Sequence, residues 1–152
     1  MDAFAESAGF EQDFDRDDAW RYRDFVTRTF NEDIPYDKFV RLQIAGDLLQ
    51  PEKADSIIAT GFIVAGVENL IQSRKEFVRD RYDKIDDMVS ATATGLLGMT
   101  VACARCHDHK FDPILQRDYY RFAAAFAKTV STNRDIKNDK SNIKVFCASE
   151  VP

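Results

Sequence analysis

Residues 103–110 read Cys-Ala-Arg-Cys-His-Asp-His-Lys, and they concentrate the chemistry of this chain. Cys103 and Cys106 stand three apart, His107 follows at once, and His109 comes two residues later. The chain has 3 cysteines and 2 histidines, so every one of them except Cys147 falls in this stretch. Chance would place a C-x-x-C-H pattern in a chain of this composition on the order of 0.001 times, so the spacing is a signal. In that pattern the two sulfurs can form thioethers with the vinyl groups of a haem, and the adjacent imidazole then lies under the iron. Cys103 and Cys106 are therefore candidate attachment points for a covalent haem c, with His107 as the metal ligand.

Other chemistries use similar residues. A structural zinc site needs four ligands; Cys103, Cys106 and either His107 or His109 supply three, with Cys147 as a fourth. Zinc sites and iron–sulfur ligand sets usually join distant pairs, and no second pair exists here. A thioredoxin-like redox pair needs a βαβ setting, which the sequence does not offer. Buried structural cysteines remain the plain alternative.

His109 is too close to His107 for the chain to wrap around a porphyrin. Its expected role is a hydrogen bond to a haem propionate or to backbone, with contact to another cofactor as a further option. Lys110 and Arg105 are candidate propionate partners, against the simpler reading of solvated surface charge. Met99 and Met88 read as core packing rather than as ligands. With no distal ligand in view, the expectation is a five-coordinate iron or a sixth ligand from elsewhere in the protein.

The elements that must hold this stretch are mainly helices. A first helix is predicted from Asp17 to about Phe30, carrying Trp20, Tyr22, Phe25 and Val26. Pro35 suits the first turn of a second, with Tyr36, Phe39, Val40, Ile44 and Leu48; Gly46 loosens it and Pro51 ends it. A short helix follows around Ile57 and Ile58. "GFIVAG" is a buried connector, helix or strand. The clearest helix is predicted over 75–102, where Val78, Tyr82, Ile85, Val89, Thr92, Leu96 and Met99 alternate in steps of four and three. The next step of four is Cys103, so the stripe is expected to deliver that thiol toward the core. Ala91, Gly95, Gly98 and Ala102 form a small-residue stripe beside it, expected to meet another helix or a flat ligand edge. A last helix starts near Gln116, with Tyr119, Phe122, Ala123, Phe126 and Val130 on its inner face. From Ser131 the chain turns polar and reads as a tail or edge segment. The expected fold class is mainly α, about five helices with a polar C-terminal tail.

Composition narrows the function. At 45% hydrophobic and 31% charged, the 152 residues suit one globular domain. A net charge of -5 gives no basic surface for nucleic acid or anionic lipid. No apolar run reaches the roughly 18 residues of a membrane span, and no signal peptide opens the chain. Asp13, Asp15 and Asp17 alternate faintly like a calcium loop, but Asp18 and Asp24 stand where such a loop wants Gly and Glu. A helix-capping acidic loop is the better reading.

Three blocks, "AWRYRDFVTRTFNEDIPYDKFVRLQIAGDLL", "ATGF" and "GLLGMTVACARCHDHKFDPILQRDYYRFAAAF", resemble the planctomycete cytochrome c-type domain. That family is a domain of unknown function with a CARCHDHKFDP signature, found in large exported proteins. The resemblance implies a haem c held by Cys103 and Cys106 with His107 as ligand, in a mainly helical domain outside the cytoplasm, in the periplasm. It also implies further modules in the full-length protein. Residues 1–152 are accordingly read as one truncated domain of this kind, with an acidic lead-in at 1–16 and a polar tail at 131–152. The expected function is electron transfer to a redox partner not identified by sequence, rather than catalysis. The alternatives are a zinc-binding or structural module without haem and a haem enzyme with an open iron site.

Overall fold

The computed structural model describes Ser7 and residues 14–67, 76–138 and 141–150, with the backbone alone for 133–138, 141–147, 149 and 150. The protein is mainly helical. Among the described residues, six α-helices run in order: α1 (Trp20–Asn31), α2 (Tyr36–Leu49), α3 (Ala54–Ala59), α4 (Gly61–Val64), α5 (Glu76–Leu97) and α6 (Gln116–Ala125). A 3-10 turn, Ala102–Arg105, lies between α5 and α6, and two strands close the chain, β1 (Thr129–Asn138) and β2 (Ser141–Glu150). Among the described residues no helix is long and apolar enough to cross a membrane.

The chain expected as one domain gathers into two compact units, Met1–Glu68 with Thr129–Pro152, and Asn69–Lys128. In the first unit, Tyr22 and Phe25 of α1 pack with Leu42 of α2 and with Ile57, Ile58 and Ala59 of α3. The periodicity places α1 and α2 within a few residues of where they form. Pro35 sits just ahead of α2, where its missing N–H costs nothing. Ala45 breaks the helical geometry of α2 (φ -145°, ψ 31°). Beside it Gly46 lies so close to α3 that a Cβ would stand 2.0 Å from the Ser56 carbonyl oxygen. "GFIV", open between helix and strand by sequence, is the single turn of α4.

The segment expected as a polar tail or edge is a hairpin. β1 and β2 pair antiparallel from Thr129 opposite Glu150 to Asn138 opposite Ser141. Val130, expected on the inner face of α6, belongs to β1, because α6 stops at Ala125. The hairpin joins the first unit through the Ala148 N–H, which donates to the buried Thr60 Oγ1 at 3.0 Å.

In the lead-in, Ser7 and Asp15 form an isolated antiparallel bridge, and Asp18 pairs with Arg21 at 3.0 Å. Asp13 of the calcium-like pattern lies outside the described residues.

Candidate functional site

The cysteine stretch belongs to the second unit, built from α5, the 3-10 turn and α6. Ile85, Met88, Val89, Ala93, Val101, Ala104, Tyr119 and Phe126 are its buried apolar residues. Met88 is thus a core side chain, as expected, whereas Met99 is exposed.

The approach to the cysteines corrects the sequence reading. α5 ends at Leu97 rather than running on to Ala102. Gly98 takes a left-handed conformation (φ 65°), which a glycine adopts without steric cost and which terminates helices. Met99 N–H then reaches back to the Ala93 carbonyl at 3.0 Å. The apolar stripe therefore does not carry Cys103 into the core, and Cys103 is exposed. The small-residue stripe meets no close neighbour at Gly98, where a Cβ would have nothing within 4 Å. Its glycine serves to stop the helix.

Cys103 lies within the 3-10 turn and Cys106 directly follows it, and the Cys106 N–H donates to the Cys103 carbonyl at 3.3 Å. Side chains three apart in such a turn eclipse one another, so both thiols project from one side. Both are free and exposed. Ala104 between them is fully buried. Arg105 points back to α5, where its Nη2 donates to Asp83 Oδ1 at 2.8 Å and its Nη1 to Asp86 Oδ2 at 2.9 Å. These bonds, that to Asp83 foremost, raise the guanidinium pKa. Tyr119 Oη donates to the other oxygen of Asp86, and burial, then this bond, push its phenol pKa up. The Arg105 carbonyl accepts from Gln116 Nε2 at 3.2 Å and from Tyr120 Oη at 3.1 Å. Arg105, a candidate propionate partner by sequence, is engaged within the fold.

The next residues divide in the same way. His107 is exposed, and its Nδ1 lies 2.8 Å from the Asp108 carbonyl oxygen. A carbonyl only accepts, so Nδ1 is the donor in this bond and Nε2 takes no part in it. Asp108 Oδ1 accepts the Gln116 N–H at 2.8 Å and so caps the start of α6 from outside the helix. His109, its side chain 8% exposed, is the post of a tight loop. Its Nδ1 accepts the Asp112 N–H at 2.9 Å, and its own N–H donates to the Ile114 carbonyl at 2.8 Å. A bond to backbone was among the roles expected for His109. Lys110 Nζ lies 5.1 Å from the centroid of the Phe111 ring, and that ring is 83% exposed.

A cavity of about 570 Å³ opens in the same unit, with Tyr82, Tyr119, Tyr120 and Arg105 over a floor of Ile85 and the alanines of α6. Neither cysteine nor His107 lines it. Tyr119 lines this cavity, whereas Phe122 and Phe126 pack on each other at 5.8 Å. The parts that sequence reasoning missed are Asp83, Asp86 and Asp108. Their signal was present as two carboxylates one turn apart on α5 and an acid ahead of a helix start. Cys147 pairs through its backbone with Thr132, and its side chain lies outside the described residues. Among the described residues no three His, Cys, Asp or Glu side chains gather as a metal-binding group.

No curated protein and no solved structure matches the chain. Residues 1–131 match the family PSCyt2, "Protein of unknown function (DUF1549)", and the chain belongs to that family.

Proposed function

We propose that this chain is a c-type cytochrome module that holds one haem covalently through Cys103 and Cys106, with His107 as the iron ligand. The observation that carries the reading is the division of labour within residues 103–109. Ala104, Arg105, Asp108 and His109 are occupied in packing, ion pairs, a helix cap and a loop. Cys103, Cys106 and His107 are exposed and keep their reactive atoms available.

The donor set fits the group in type, order and exposure. Two thiols on one side of a rigid turn present both sulfurs to one ligand edge. The Nδ1–H bond to the Asp108 carbonyl orients the His107 ring and would leave Nε2 as the ligating atom. A bound haem c supplies one-electron chemistry between ferrous and ferric iron, tuned by axial ligation and burial. Cys103, Cys106 and His107 would hold it, and Arg105 braces the turn that carries them. The resemblance of the sequence blocks to planctomycete cytochrome c-type domains supports electron transfer outside the cytoplasm, within a larger exported protein. A zinc site is less well supported, since its ligands would have to come from side chains beyond those grouped here.

The test is a haem-stained denaturing gel with an absorption spectrum, on the chain exported and co-expressed with a c-type maturation system. A covalent band that disappears in Cys103→Ala with Cys106→Ala is the expected result. Folded protein without a band, carrying zinc by elemental analysis, would replace this reading with the metal-binding one.

A further inference from the structure

The turn between α1 and α2 holds a second cavity, of about 440 Å³, in the first unit. Phe30, Asp33, Pro35, Tyr36 and Phe39 line it, with Thr29 at its base. The volume falls within the roughly 300–1,000 Å³ of small-molecule sites. Three aromatic rings converge there. The Phe30 and Phe39 centroids are 5.4 Å apart with planes at 56°, and those of Tyr36 and Phe39 are 6.4 Å apart at 35°. Phe39 is anchored from behind by a parallel stack on buried Phe25, at 6.2 Å and 8°. Phe30 and Tyr36 are 70% and 61% exposed, so two of the rings are held at the surface rather than used in the core.

Asp33 supplies the charge. It stands at the C-terminal end of α1 with φ 51°, a left-handed conformation that glycine adopts most easily and that Asn and Asp tolerate better than other residues. The turn itself is satisfied by backbone bonds, Asp33 N–H to Phe30 O at 3.2 Å and Ile34 N–H to Thr29 O at 3.1 Å. A carboxylate is thus not needed to build the turn, yet one lines the cavity. Aromatic faces carry negative potential and attract weakly hydrated cations. A strongly hydrated ammonium gains less from such a place than a quaternary one, whose charge is spread over methyl groups that also bury apolar area. We propose that Phe30, Tyr36, Phe39 and Asp33 form a binding site for a small quaternary ammonium compound.

The experiment uses the full 152-residue chain. Choline and its neutral carbon isostere, in which carbon replaces the nitrogen, are titrated while backbone amide resonances are followed by NMR. The expected result is saturable shifts at residues 29–39 with choline, and affinity about tenfold weaker for the isostere. Tyr36→Leu and Asp33→Gly should each weaken choline binding several-fold. Asp33→Gly should also leave the melting temperature unchanged or raise it, because it relieves the positive φ. Equal binding of choline and isostere, or no saturable shift at 29–39, overturns the proposal. Undiminished binding by folded Asp33→Gly and Tyr36→Leu does so equally.

Discussion

Arg105 Nη1 donates to Asp86 Oδ2 at 2.9 Å, and this bond fastens the cysteine turn to the helix before it. Arg105 also reaches Asp83, while Tyr119 holds the second oxygen of Asp86. The turn is thereby tied to both α5 and α6 through one guanidinium and one carboxylate. Arg105→Met should cost about 1–2 kcal/mol, the range for charge-assisted bonds discounted for partial exposure. Arg105→Lys should recover less than half of that, since an ammonium cannot span both carboxylates in the same fork. Urea unfolding checks both, and a double-mutant cycle with Asp86→Ala isolates the pair.

Two glycines distinguish steric from conformational need. Gly46→Ala would drive a Cβ into the Ser56 carbonyl, 2.0 Å away, with backbone on both sides. The helices must separate, and a loss above about 3 kcal/mol is expected. Gly98→Ala meets nothing and pays only for its left-handed φ, about 1 kcal/mol. Gly98→Asn should cost less than Gly98→Ala, because Asn tolerates that conformation. Chemical denaturation of the three variants reads the ordering directly.

What the sequence made legible follows the range of the interactions involved. α1 and α2 form within a few residues of where their apolar spacing placed them, and α6 starts where expected but stops before Phe126 and Val130, because periodicity and Pro35 are local. The proposed donors stand out in the sequence because Cys103, Cys106 and His107 lie within five residues. The end of α5 was not, because Gly98 suits a packing stripe and a left-handed stop equally well, and only the backbone decides. The β1–β2 hairpin was hidden for another reason. Its stability rests on a backbone ladder and on one bond from Ala148 to Thr60 across 88 residues, and "STNRDIKN" shows little alternation to betray it. The duties of Asp83 and Asp86 were not read either: two carboxylates one turn apart show in the sequence, but their partner Arg105 lies about twenty residues further on.

Asp87 gives a pH dependence. Burial, and then the neighbouring Asp86 carboxylate, raise its pKa in the folded chain. The folded state therefore binds the Asp87 proton more tightly than the unfolded state does. Stability from this group is fully present below the unfolded carboxylate pKa and is lost as pH rises through the raised folded value. Asp87→Asn should accordingly raise the melting temperature at neutral pH. The advantage should shrink on acidification and vanish below the ordinary aspartate range. A gain that stays constant across that window would show that charge is not its origin.

The same substitution at two buried threonines should act in opposite directions. Thr60 is fully buried; its Oγ1 donates to the Ile57 carbonyl at 2.7 Å and accepts the Ala148 N–H at 3.0 Å. Thr60→Val removes both bonds and strands a buried N–H, for which about 1–3 kcal/mol is expected. Thr92, on α5, is 4% exposed, and its Oγ1 is buried with no hydrogen-bond partner. Thr92→Val keeps the shape and removes a desolvated hydroxyl, so it should stabilise by roughly 1 kcal/mol. Val is stiff in a helix much as Thr is, so propensity changes little. Calorimetry on the pair reads the sign of each effect. If both variants are destabilised, the Thr92 hydroxyl has found a partner in solution, and burial alone does not set its contribution.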